Sequence, residues 1–163
     1  MIAAALALLV ALASPGAAAE WREIKPGETP MAEIRARFGA PTKATPVKVE
    51  GFDTTEWVYE GAQALVGMVR VTLEFGLKAP SGYNKDVVRT FTLEPKRGIY
   101  NRKLVLDGWG PPDRAGKQAD NEFFLYRAGL LVYFDKDGEI ALSMTFTPPQ
   151  PLSDGTAPPS PQR

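Results

Sequence analysis

The chain carries one pattern twice, and that repetition restricts its fold more than any other feature. Phe38-Gly39-Ala40-Pro41 is matched 71 residues later by Trp109-Gly110-Pro111-Pro112. Ahead of the first match, Thr29 is placed as an N-cap, Pro30 takes the first helical position and Glu33 follows in the first turns. Met31, Ile34 and Phe38 are spaced i, i+3, i+7, so they share one helical face. Gly39 offers a C-terminal stop, and Pro41 prevents continuation. In the second match Val105 stands where Ile34 stood. Leu104-Val105-Leu106 there fits either a helix or a strand.

Three strand signals follow in each copy. Thr55 to Tyr59 is rich in β-branched and aromatic residues. Val69, Val71, Leu73 and Phe75 then alternate with Arg70, Thr72 and Glu74, which predicts one buried and one wet face. Pro80 to Asn84 reads as a loop. Val87 to Leu93 makes the third strand, with Thr90 and Thr92 on the polar side of Phe91. In the second copy, Phe123 to Tyr126 and Leu130 to Phe134 are the first two strands. Asp135-Lys136-Asp137-Gly138 turns the chain, and Ile140, Leu142, Met144 and Phe146 alternate with Ala141, Ser143 and Thr145. The offset between copies falls from 71 at the glycine to 67 at Tyr59/Tyr126, 59 at Phe75/Phe134 and 55 at Phe91/Phe146. Each drop falls in a connection, where deletions are tolerated. The expected fold is α+β: two tandem helix-plus-antiparallel-meander units, residues 20–94 and 95–147, packed as one body.

The ends are of another kind. Ile2 to Ala13 is apolar and uncharged, Ser14-Pro15-Gly16 breaks it, and Ala17-Ala18-Ala19 supplies small residues for a signal peptidase. Residues 1–19 are therefore expected to be a cleavable signal peptide, cut near Ala19, that sends the protein to the periplasm or out of the cell. The leader lacks Lys and Arg, and the alternative is a buried N-terminal helix. Residues 148–163, rich in proline, are expected to be a disordered tail.

Composition excludes several chemistries. The 144 residues beyond Ala19 hold all 19 basic and all 19 acidic side chains, so the net charge makes no case for nucleic acid or anionic lipid. The chain has no cysteine, hence no disulfide and no lipid-bearing cysteine, and no stable membrane anchor is expected. It has no histidine, which removes the commonest general base and zinc ligand. Asp135-Lys136-Asp137-Gly138-Glu139-Ile140 invites an EF-hand reading, but that register puts Tyr133 and Met144 at the first and twelfth ligand positions. A hairpin turn is the better account. Glu56, Glu74, Glu94, Asp107, Glu122 and Asp135 stand at or near strand ends without a catalytic spacing. The glycines assemble no phosphate loop. No metal or cofactor is expected.

Lys25-Pro26-Gly27-Glu28-Thr29, Phe38-Gly39-Ala40-Pro41 and Trp57-Val58-Tyr59, with the meander after them, resemble the SmpA/OmlA/BamE family of small outer-membrane assembly lipoproteins. A tandem pair of such units resembles the exported β-lactamase inhibitory protein fold, which presents a sheet to a target enzyme. The resemblance spans most of residues 24–147. The assembly lipoproteins carry a lipidated cysteine and one unit, so their anchoring does not transfer. What the resemblance implies is binding to a protein partner.

The candidate partner-binding residues are Arg70, Thr72, Glu74, Thr90, Thr92, Tyr133, Ser143 and Thr145, turned away from the apolar stripes, with the recurring aromatics Trp57 and Tyr59. The expected function is non-enzymatic protein binding, in cell-envelope assembly or maintenance. Its rivals are inhibition of a secreted or periplasmic enzyme, a small carboxylate-dependent hydrolase, and a carrier of an apolar ligand.

Overall fold

Alternation governs the longest strands. Residues 18–149 are described by the computed structural model; the rest of the expected signal peptide and of the proline-rich tail lies outside the described residues. β3 (Met68–Ala79) buries Val71, Leu73 and Phe75 on one face and turns Thr72 and Glu74 to the other. It pairs with β2 (Phe52–Glu60) on one side and with β4 (Gly82–Pro95) on the other. The expected loop at Pro80 to Asn84 shrinks to Pro80-Ser81, and both strands run further than their apolar alternation shows. The second half contributes β6 (Asn121–Tyr126), β7 (Leu130–Phe134) and β8 (Ala141–Phe146).

Two strands were not expected. β1 (Lys43–Val49) and β5 (Arg114–Gln118) pair only with β2 and β6 and form the two edges of the sheet. Their sequences, Lys-Ala-Thr-Pro-Val-Lys-Val and Arg-Ala-Gly-Lys-Gln, carry charge, Pro46 and Gly116. Those are edge-strand residues: charge and proline discourage pairing with another chain, so the strand signal is weak.

The α+β expectation of two packed helix-plus-meander units is overturned. All strands hydrogen-bond into one antiparallel sheet of eight, in the order β1-β2-β3-β4-β8-β7-β6-β5. The join is β4 with β8, where Phe91, Leu93 and Thr92 face Phe146, Met144 and Thr145. Each half would otherwise expose an unpaired edge at its last strand. Pairing the two edges satisfies both sets of backbone groups. Among the described residues the α-helices are two pieces of eight residues, too short to form layers of their own, and these residues are mostly β.

α1 (Met31–Phe38) and α2 (Arg102–Trp109) lie on the same face of the sheet as the core and each buries one residue fully, Ile34 or Val105. Leu104 to Leu106 is thus helical, and Asn101 caps it by accepting the Leu104 N–H at 2.8 Å. Thr29 does not cap α1. Its hydroxyl is buried and accepts the Lys25 N–H at 2.8 Å, closing the preceding turn, while Pro30 stands at the N-cap. Both helices stop at a glycine with positive φ, 78° at Gly39 and 76° at Gly110. At each stop a tyrosine from the sheet reaches the glycine carbonyl: Tyr59 donates to Gly39 at 3.0 Å and Tyr126 to Gly110 at 3.1 Å.

Burial pushes both phenols above their ordinary range, Tyr126 to about 12 with Asp113 adding to the rise. A raised folded-state value favours the neutral phenol. Its contribution is complete below the unfolded value near 10 and is lost as pH climbs through about 12. Tyr59→Phe and Tyr126→Phe are each expected to lose about 1 kcal/mol at neutral pH by urea unfolding. Tyr126→Phe is also expected to flatten the alkaline decline. A loss at only one of the two positions would show that the two caps are not equivalent.

The core between the helices and the sheet includes Trp57, Phe75, Phe91, Phe134 and Phe146. The segment ahead of α1 closes one end. Ile24 is fully buried, the Trp21 indole N–H donates to the Tyr100 hydroxyl at 3.0 Å, and the Ala19 N–H donates to the Ala128 carbonyl at 2.7 Å.

Candidate binding face of the sheet

The face opposite the helices is crossed by one unbroken row of side chains. Strand pairing aligns Lys43, Val58, Thr72, Thr92, Thr145, Leu131, Leu125 and Arg114, one from each strand from β1 to β5. Side chains two apart along a strand share a face, so this register defines the whole outer surface. At strand spacings of about 4.8 Å, the row from β1 to β5 spans roughly 34 Å.

The face has two characters. Around β2, β3 and β4 it is polar. Arg70 pairs with Glu60 at 2.8 Å and with Glu94 at 3.5 Å, and Arg89 pairs with Glu74 at 2.5 Å. Glu56 lies directly opposite Glu74, and the Arg89 guanidinium offsets that like-charge pair. At the centre the Thr92 and Thr145 hydroxyls bond each other at 3.1 Å across the joining strands. Around β6 and β7 it is apolar. Phe123, Leu131 and Tyr133 form a cluster separate from the main core, with Leu125 against it. The Phe123 and Tyr133 rings are 6.2 Å apart. Gly116 of β5 makes room for Phe123, since a Cβ there would lie 2.8 Å from the ring. The Tyr133 hydroxyl donates to Gln118 at 2.5 Å, and burial raises its pKa.

Eight of the ten candidate residues come together here: Tyr133, which is buried at 8% exposure and so is not open to a partner, and Arg70, Thr72, Glu74, Thr90, Thr92, Ser143 and Thr145. Trp57 and Tyr59 do not. Trp57 pairs with Leu73 and Tyr59 with Val71, which turns both into the core at 5% and 0% exposure. Phe123, Leu125 and Leu131 were missed. Their signal was the run Leu130 to Phe134, in which every residue is buried. A strand apolar at both parities has two covered faces, whereas only one face was assigned to the core.

The other candidate chemistry resolves into structure. Asp135 Oδ1 accepts the N–H groups of Glu139 at 3.0 Å and Ile140 at 3.2 Å. These bonds, that of Ile140 foremost, hold its carboxyl below the usual range. Oδ1 is thus committed to its own turn, while Oδ2 faces Arg97 at 3.9 Å. Asp107 pairs with Lys103 at 2.5 Å, and Glu122 pairs with Arg102. On the helix side, an open polar hollow of about 400 Å³ is lined by Glu20, Glu23, Lys25, Glu28, Thr29, Glu33 and Arg37. Five of its six charged side chains pair among themselves, Lys25 with Glu20 and Arg37 with Glu23 and Glu33. Among the described residues no group of three or more acidic side chains is placed to hold a metal ion, and no helix is long and apolar enough to cross a membrane.

No protein-family model matches the chain, and no curated protein matches it. The likeness to the assembly lipoproteins therefore rests on the short motifs alone. Among solved structures, the chain is similar to a DUF4309 family protein, YjgB, from Bacillus subtilis, at 12% identity and a TM-score of 0.46, covering 78% of this chain and 83% of that one.

Proposed function

We propose that this protein works without catalysis, in the periplasm or after secretion, by binding a protein partner through the outer face of its sheet, in the assembly or maintenance of the cell envelope. The observation that carries the reading is the accessible polar row across that face, Thr72, Thr92 and Thr145 with the Arg70–Glu60 and Arg89–Glu74 ion pairs beside them. Both helices pack on the opposite face, and among the described residues no helix covers this one. A face of hydroxyls and ion pairs on a rigid sheet, bordered by the buried Phe123, Leu131 and Tyr133 cluster, suits a polar, non-obligate protein interface.

Photocrosslinking tests it. A crosslinking residue placed at Thr90 or Ser143 is expected to capture one protein from an envelope extract. The same residue at Ala36, exposed on α1, is expected to capture none. Thr72→Arg puts a long charged side chain in the middle of the row and is expected to cut capture more than about tenfold, with unfolding unchanged. Equal capture from both faces would refute the proposal. So would capture insensitive to Thr72→Arg.

A further inference from the structure

We propose that one end of the sheet seats reversibly on an anionic lipid surface through Val66, Val69 and Ile99. Surface loops are normally tipped with small or polar residues. Here Val66 is 80% exposed, Val69 53% and Ile99 42%. Val66 and Ile99 belong to two connections that touch, and Val69 stands at the start of β3 beside them. Val66 lies between β2 and β3, and Ile99 between β4 and α2. The Lys96 N–H donates to the Gly67 carbonyl at 2.9 Å, and Ile99 lies over Gly67, where a Cβ would be 3.5 Å from its Cγ2. Val69 is left out of the ladder by the irregularity between Met68 and Arg70, at the start of the same strand. A single exposed aliphatic residue needs no explanation, but three on adjoining backbone make a patch.

The surrounding charge selects the occupant. Arg22 reaches the Val66 carbonyl at 3.4 Å, with its guanidinium 4.8 Å from the Trp21 ring centroid. Among the described residues Lys96 has no carboxylate partner, and the exposed Arg97 meets only Asp135, at 3.9 Å. The acidic groups nearby are engaged: Glu60 and Glu94 share Arg70, and Glu23 pairs with Arg37. Aliphatic tips with cationic side chains beside them match a bilayer surface, where apolar groups enter the acyl boundary and Lys or Arg meets the headgroup phosphates. The contact is peripheral and independent of the outer sheet face.

Co-sedimentation of the purified protein with vesicles tests it. Vesicles of phosphatidylglycerol and phosphatidylcholine are expected to bind the protein, and pure phosphatidylcholine vesicles much less. Val66→Asp and Ile99→Asp are each expected to weaken binding at least about tenfold. Lys96→Ala should weaken it about fivefold, an effect that fades with added salt. All three positions are exposed, so an unchanged unfolding midpoint confirms that the variants fold. No preference for phosphatidylglycerol, or binding unaffected by Val66→Asp, overturns the proposal. So does a crosslinker at Val66 that captures a protein while the vesicles bind nothing.

Discussion

Phe146→Ala is expected to cost about 3–5 kcal/mol of folding stability, the usual range for emptying a buried phenylalanine site. Phe146 is fully buried, stacks on Phe91 with centroids 4.5 Å apart, and meets Trp109 edge-on at 6.0 Å. It therefore ties the last strand to its neighbour and to α2 at once. It also stands at the β4–β8 join, which has only three aligned pairs. Leu93 opposite Met144 and the Thr92–Thr145 hydroxyl bond also hold the join, and both halves share one core, so the loss should be cooperative across the whole sheet. Urea denaturation followed by both tryptophan fluorescence and far-ultraviolet circular dichroism checks this. A loss below about 1 kcal/mol would mean that the join does not depend on the stacked rings. Two separated transitions would mean that the halves unfold apart.

Gly129→Ala is expected to lose more than about 3 kcal/mol, or to prevent folding. Gly129 has φ of 94°, and strain from an alanine held there costs about 1–3 kcal/mol. An added Cβ would also lie 2.0 Å from the Thr147 carbonyl oxygen and 3.0 Å from that of Pro148. Both are backbone atoms, so no side-chain rotation relieves the collision. The chain is held close because the Thr147 N–H donates to the Gly129 carbonyl at 2.8 Å. Gly51→Ala is the control. Gly51 has φ of 85° with nothing within 4 Å of its Cβ position, so it isolates the strain from the collision. It is expected to lose about 1 kcal/mol. Equal losses at the two sites, measured by thermal or urea unfolding, would remove the collision from the explanation.

The candidate site was legible wherever one parity of a strand was polar. Arg70, Thr72 and Glu74 alternate with Val71, Leu73 and Phe75, and that alternation alone sends the first set outward. It failed where the signal came from residue type instead of parity. Trp57 and Tyr59 look like interface aromatics, but their partners Leu73 and Val71 are core residues, and pairing decides the face. It failed again at β7, where apolar residues at both parities hid the outer cluster. The Asp135 to Gly138 turn was legible from its residue types: the chain reverses there between β7 and β8, with Gly138 at a φ of 73°.

By itself the sequence determined where the chain is helical at α1, where it stops, and which way most strands face. Those are local properties: a glycine followed by a proline ends a helix, and a period of two assigns sides without reference to distant residues. The tertiary structure alone decided that the last strands of the two halves pair, that β1 and β5 are the edges, and that Trp57 and Tyr59 belong inside. Strand pairing is a choice of hydrogen-bond partner between segments far apart in the chain. Phe91 and Phe146 are 55 residues apart, and neither strand's own pattern of side chains names the other.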